Sequence, residues 1–231
     1  MIEKNDLFDY GYYIYQNKDY FKFSLDSILL AEFVTFKESD QILDMCTGNA
    51  PIPLILTSKN KKLQIDAVEI QKEIYQLANK SLKINNTKNI KLYNNDVKTM
   101  NFAKVYDIII CNPPYFKVTE QSHINENQIK RFARHEICIN LEEIIECAYN
   151  NLNAKGNFYM VHRTDRLLET IELMVAKGFG IRKICFVFTK QKSNAEFFLL
   201  EASKYKKSDP KITYLYTGDL KSYKNIFNGG D

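Results

Sequence analysis

The chain has 231 residues, 45% of them hydrophobic and 26% charged. That balance suits one globular domain with a full core and excludes a disordered chain. The net charge of +4 permits a nucleic-acid partner without requiring one, because a surface patch matters more than the sum.

The five cysteines, at 46, 111, 138, 147 and 185, are odd in number and form no CxxC pair. Neither a disulfide framework nor a zinc site is expected. No apolar run approaches the ~20 residues needed to span a bilayer, and the first residues lack a signal-peptide pattern. A cytoplasmic protein with no metal, no membrane role and no obligate protein partner is expected.

Tyr10 to Phe23 alternates aromatic and polar residues around Asn17-Lys18-Asp19, which predicts a β-hairpin. Ser24 to Ala31 follows with helical apolar spacing and a serine N-cap. From Gln41 the pattern becomes rhythmic. Strands are predicted at Gln41–Met45, Leu63–Val68, Ile90–Tyr93 and Val105–Cys111, with helices at Pro51–Thr57 and Gln71–Ile84 between them. Val105–Cys111 is apolar apart from Asp107, the mark of a strand buried on both faces. A polar loop runs from Pro113 to about Lys130. Beyond it come a helix at Leu141–Leu152, a strand at Asn157–His162 and a helix at Asp165–Ala176. A closing hairpin is formed from Ile181–Phe188 and Glu196–Ala202. Alternating strands and helices predict an α/β fold with a mostly parallel sheet. Its ligand site is expected at the carboxyl ends of the strands. Residues 1–36 are read as a hairpin and helix packed on the core, 37–203 as the main domain and 204–231 as a solvated tail.

The motifs fall at those strand ends. Asp44-Met-Cys-Thr-Gly-Asn-Ala-Pro51 stands where a strand turns into a helix. Gly48 there allows close approach to a ligand, although GxGxxG is absent and a plain turn is the alternative. Glu69 closes the next strand, about 20 residues on, where a carboxylate suits a ribose hydroxyl pair. Asp96 follows the third strand and is either an acceptor for an adenine amino group or an Asx turn. Asn112-Pro113-Pro114-Tyr115-Phe116 follows the buried strand directly. Two prolines fix the backbone, so the Asn112 side-chain oxygen and the Pro113 carbonyl are acceptors for a planar amine, with Tyr115 stacking on its ring.

These segments carry a resemblance. The chain resembles a class I S-adenosylmethionine-dependent methyltransferase with the amino-methylating motif of Asp, Asn or Ser followed by Pro-Pro and an aromatic residue. Phe23 to Ala31, Asp44 to Asn49, Cys111 to Phe116 and Ala133-Arg134-His135-Glu136 together resemble the bacterial tRNA1(Val) adenine-37 N6-methyltransferases. The match spans nearly the whole chain, to about Ser203. One departure is the glycine-rich loop, which ends here in Ala50-Pro51. The resemblance implies a Rossmann-like, seven-stranded sheet with its last strand antiparallel and helices on both faces. It also implies S-adenosylmethionine as cofactor, tRNA as partner and N6 of adenine as the methyl acceptor. Asn112, Pro113, Pro114 and Tyr115 are then catalytic. Asp44, Thr47, Gly48, Asn49, Glu69, Ile70, Asp96, Val97 and Asn112 hold the cofactor. Phe116, Lys117, Arg131, Arg134, His135, Arg163 and Lys192 are candidates for RNA contact, with a solvated lid as the alternative for 117–136. Ribosomal RNA, DNA adenine or a protein glutamine would also meet the motif. A non-catalytic RNA-binding module on the same scaffold is the reading from another class.

Overall fold

The computed structural model describes residues 1–18, 25–115, 138–191, 193–218 and 220–227. An N-terminal hairpin pairs β1 (Ile2–Asp6) with β2 (Tyr13–Asn17). Helix α1 (Leu25–Phe33) leads into β3 (Gln41–Met45), α2 (Pro51–Lys59), β4 (Gln64–Val68), α3 (Lys72–Ile84) and β5 (Ile90–Tyr93). Next come β6 (Tyr106–Cys111), α4 (Leu141–Asn151), β7 (Leu152–Arg163), α5 (Leu167–Lys177), β8 (Phe179–Phe188), β9 (Phe197–Lys204) and β10 (Lys211–Tyr216).

Strands β3 to β10 form one sheet in the order β10-β8-β9-β7-β6-β3-β4-β5. Seven of them match the expected arrangement, with β9 antiparallel to both β7 and β8. The eighth, β10, corrects the strand count: it lies in the stretch read as a solvated tail and runs parallel to β8 along the sheet edge. Its exposed residues hid it, since Ile212 and Tyr214 project into solvent and no buried face marks the strand. Residues beyond it fold back on α1. The Asn225 amide donates to Glu32 (2.8 Å), and Phe227 meets Phe33 edge to face at 5.3 Å.

The hairpin is also displaced from its expected place. Its second strand ends at Asn17 and its turn is Leu7–Tyr12, where Gly11 takes φ +71°. Residues 20–23, the expected second arm, and Ser24, the expected N-cap, lie outside the described residues. Strand β1 is nearly all polar, so it carries no apolar signal. It is held by pairing with β2, which docks on α3 through Tyr15 N–H to Ser81 Oγ (2.9 Å) and Tyr13 N–H to Asn85 Oδ1 (2.8 Å).

The central strands of the sheet are buried on both faces, which explains their apolar character. Alternate residues feed two cores. Ile42, Ile108, Ile110, Tyr159 and Val161 face one, against α1, α2 and part of α3. Leu43, Met45, Ile109, Phe158 and Met160 face the other, against α4 and α5. Buried Glu32 ties several elements together: it accepts from Tyr10 Oη (2.9 Å) and pairs with Lys59 (3.2 Å). All five cysteines are free thiols.

The order reverses beside β3. The chain steps outward to β4 and β5, then returns to β6 on the other side. The crevice between the carboxyl ends of β3 and β6 is therefore the switch point where such sheets bind ligands.

Candidate active site

The loop after β3 lies at that crevice and takes an unusual path. Cys46, Gly48 and Ala50 all have positive φ, at 59°, 59° and 67°. Gly48 meets the requirement without strain, and a Cβ built on it would find nothing within 4 Å. Its backbone thus faces open space. Ala50 takes the left-handed conformation that glycine adopts more easily and caps α2, with Pro51 at the first helical position.

Glu69 at the end of β4 clamps this loop to the next one. Its carboxylate accepts from Gly48 N–H (2.9 Å) and Gln71 N–H (2.9 Å). It is buried, and burial pushes its pKa up to about 7 against the pull of the Gln71, Gly48 and Ile70 amides. Asp44 is wholly buried at the end of β3. Burial pushes it up to about 7 as well. The Thr47 hydroxyl offsets this in part and the Glu69 charge adds to it. Neither Asp44 oxygen completes a hydrogen bond among the described residues, and the same holds for Thr47 Oγ1, Asn49 Nδ2 and Gln71 Oε1. Buried polar atoms are normally partnered. Four such residues on two adjacent loops are the mark of a site built for a polar ligand.

Asn112-Pro113-Pro114-Tyr115 closes the crevice from β6. Asn112 Nδ2 donates to Ser27 Oγ (2.8 Å), and Tyr115 Oη donates to Asn112 Oδ1 (2.6 Å). Tyr115 Oη also contacts the Asp26 carboxylate. Burial and the Asp26 charge hold the Tyr115 hydroxyl protonated, well above its ordinary pKa. The Tyr115 ring rests near His162, centroids 5.4 Å apart. His162 is buried, and burial with the Arg166 charge lowers its pKa to about 3. It is therefore neutral, and its Nδ1 accepts the Arg163 N–H (2.8 Å).

One cavity of about 430 Å³ joins these parts, within the roughly 300–1,000 Å³ range of ligand pockets. Thr47, Gly48, Asn49, Glu69, Ile70, Asp96, Val97, Asn112, Pro113, Pro114 and Tyr115 all line it. Asp44 sits at the base of the β3 loop and does not line the cavity. Asp96 does so while also forming the Asx turn, its Oδ1 accepting Lys98 N–H at 2.9 Å. Arg163 does not reach the cavity; its Nε pairs with Asp165 at 3.3 Å. Phe116, Lys117, Arg131, Arg134, His135 and Lys192 lie outside the described residues.

Sequence reasoning assigned no site role to Asp26 or Ser27, although both belong to the Phe23–Ala31 segment. It also passed over Cys46, Gln71 and Ile139, which line the cavity. Nothing in a single sequence marks a lone Ser on an apolar helix as facing a loop 85 residues away. Among the described residues no group of three or more His, Cys, Asp or Glu is placed to hold a metal, and no helix is long and apolar enough to cross a membrane.

The switch-point crevice, the strained β3 loop and the acidic residue ending β4 define a Rossmann-like nucleotide-binding site. The chain belongs to the methyltransferase small domain family, whose model matches residues 22–185. It is 29% identical over 166 residues to a Pseudoalteromonas translucida protein named tRNA1(Val) (adenine(37)-N6)-methyltransferase, covering 72% of this chain and 70% of that one. It is 28% identical over 181 residues to the Aliivibrio salmonicida protein of the same name, covering 78% and 76%. Among solved structures, a predicted O-methyltransferase from Agrobacterium tumefaciens superposes with a TM-score of 0.67 at 18% identity, covering 87% of this chain and 91% of that one. The Methanocaldococcus jannaschii tRNA m1G37 methyltransferase superposes with a TM-score of 0.62 at 17% identity, covering 89% and 57%. The protein is accordingly an S-adenosylmethionine-dependent methyltransferase.

The unpartnered atoms around the β3 loop fit that cofactor, which presents hydroxyl and ammonium donors together with polar acceptors. Glu69, which lines the cavity, then makes binding depend on pH. The ordinary pKa values of Asp44 and Glu69, 3.8 and 4.5, are both raised to about 7 in the folded protein. Across that window the folded protein binds more protons than the unfolded chain, so this contribution to stability falls as pH rises. A ligand donating hydrogen bonds to the Glu69 oxygens favours the ionised form. Its affinity is expected to rise with pH through about 7, by up to about tenfold per unit. Calorimetry with S-adenosylhomocysteine should show this rise between pH 6 and 8, with proton release near pH 6.5. A flat affinity over that range would contradict it.

Proposed function

We propose that this enzyme methylates N6 of an adenine in tRNA, with adenine 37 of tRNA1(Val) as the target, in the cytoplasm. The observation that carries the reading is the Asn112–Tyr115 segment on the same cavity as Gly48 and Glu69. The names of the two bacterial relatives support the choice of substrate.

The adenine amino group is a weak nucleophile, because its lone pair is delocalised into the ring. Asn112 Oδ1 and the Pro113 carbonyl accept its two N–H bonds and draw the lone pair out of conjugation as attack begins. Asn112 Oδ1 has two lone pairs. Tyr115 takes one and leaves the other for the amine. Bound S-adenosylmethionine supplies an electrophilic methyl group on a sulfonium. Orientation and fixed dipoles then do most of the catalytic work, and no strong base is needed. His162, held neutral beside Tyr115, adds no charge that would repel the cationic sulfonium. Gly48, Asn49, Glu69, Ile70, Asp96 and Val97 hold the cofactor, with Asp44 and Thr47 supporting the loop.

The base enters unpaired or flipped. Stacking on Tyr115 returns about 1–3 kcal/mol of what unstacking costs. Phe116 is proposed to contact the RNA on the chemistry of its ring alone. Lys117, Arg131, Arg134, His135, Arg163 and Lys192 are assigned to the phosphate backbone on the chemistry of their side chains.

Labelled S-adenosylmethionine offered with unmodified tRNA transcripts, ribosomal RNA, duplex DNA and protein should label the tRNA. Label confined to ribosomal RNA, DNA or a protein glutamine would replace this substrate with the corresponding alternative. Cofactor binding without transfer to any of them would leave an RNA-binding module.

A further inference from the structure

We infer that β10 and the connection leading into it, residues 205–211, form a second RNA-contact surface that grips the substrate away from the target base. The inference rests on the proposed tRNA substrate.

The charge of the chain is concentrated there. Residues 204–224 hold six lysines and two aspartates, a net +4. That equals the net charge of the whole protein, so the remaining residues sum to zero. Lys206, Lys207 and Lys211 are exposed, and their ammonium groups make no ion pair or hydrogen bond among the described residues. Lys59, Lys98, Lys104, Lys177 and Lys183, by contrast, each meet a carboxylate.

The connection is held in place by its backbone. Asp209 N–H donates to the Ile181 carbonyl (3.2 Å), and Arg182 Nη1 donates to that of Lys207 (3.4 Å). Ile181 N–H donates to Ser208 Oγ (3.2 Å). The Lys206 carbonyl lies so close to β8 that a Cβ on Gly180 would stand 1.8 Å from it. The lysines are therefore presented along a fixed edge.

Aromatic rings stand among them. Tyr205 is 68% exposed and Tyr214 78%. Tyr205 meets Tyr149 of α4 edge to face at 5.5 Å. Tyr214 and Ile212 pair with Phe186 and Ile184 of β8, which face the core beneath α4 and α5, so they emerge on that same side of the sheet. Cations interleaved with exposed rings suit phosphates and stacked bases. A protein partner is less well matched, because lysine is depleted from protein interfaces. Strand β10 stands four places from β6 in the sheet, about 19 Å at the usual strand spacing. An extended RNA reaches both, and a nucleoside does not.

The test measures methyl transfer to, and fluorescence-anisotropy binding of, an unmodified tRNA1(Val) transcript. Lys206→Glu, Lys207→Glu and Lys211→Glu together are expected to raise Kd and KM for the tRNA about tenfold or more and to flatten the salt dependence of binding by about two units of slope. Tyr214→Ala alone should raise both about fivefold or more. Turnover at saturating tRNA, S-adenosylhomocysteine affinity and Tm should stay unchanged, since none of these residues lines the cavity. The control reverses three exposed lysines at the other end of the sheet, Lys80, Lys83 and Lys88, and should cost much less. The inference is overturned if the β10 variants bind tRNA as the unsubstituted enzyme does, or if the control loses as much. It is also overturned if the variants change the protein's mass in ultracentrifugation, which would make β10 a contact between copies. Failure of the substrate reading looks different: the unsubstituted enzyme would then bind this tRNA through β10 and leave it unmethylated.

Discussion

Asn112→Ala is expected to lower the single-turnover rate of methyl transfer about 10²–10³-fold, the loss typical of one preorganised polar group at a reacting centre. Cofactor affinity should change less than about threefold, since this loss falls on the transition state and not on ground-state binding. The expectation follows from where the residue stands. The backbone after β6 is fixed by two prolines, the amide is held at both ends, and the contacts that clamp the cofactor loop lie on Glu69 across the cavity. Rapid-quench kinetics with saturating cofactor, alongside calorimetry, would separate the two quantities. Equal losses of rate and affinity would make Asn112 a structural residue.

Glu69→Ala is expected to act on the opposite quantity, weakening cofactor binding about 100-fold or more. Two lost hydrogen bonds to a charged group correspond to about 3–6 kcal/mol before relaxation, and each 1.4 kcal/mol is tenfold in affinity. The effect is compounded because the same carboxylate holds Gly48 and Gln71 N–H, and both amides would lose their acceptor. Glu69→Gln should be nearly as damaging. Its NH2 end would face one of those two backbone donors, so an isosteric change is not conservative here. Unchanged affinity in either variant would remove Glu69 from the cofactor site.

Much of this architecture is written in the sequence because the physics is local. The apolar stretch Ile108–Cys111 declares a doubly buried strand, and the structure sends Ile108 and Ile110 to one core and Ile109 and Cys111 to the other. Gly48 and Glu69 were legible because a tight turn and an acidic strand end have few other reasons to recur at that spacing. The displaced hairpin and the eighth strand were not legible. Strand β1 is polar and β10 lies at an edge with exposed aromatic residues, so their pairing is decided by partners far away in the chain. The support behind the motif was hidden for the same reason. Asp26 and Ser27 read as the polar edge of a helix, and only the return of β6 beside α1 brings them to Tyr115 and Asn112.

The central claim is that a rigid acceptor at the end of β6 aims an exocyclic amine at the methyl donor. It is tested most directly by digesting methylated tRNA to nucleosides and locating the new methyl group by mass spectrometry. N6-methyladenosine as the sole product, lost with Asn112→Ala, is the outcome the proposed function predicts. Methylation at a ring nitrogen, at carbon or at a ribose hydroxyl would contradict it, because none of those positions presents two N–H bonds to Asn112 and Pro113.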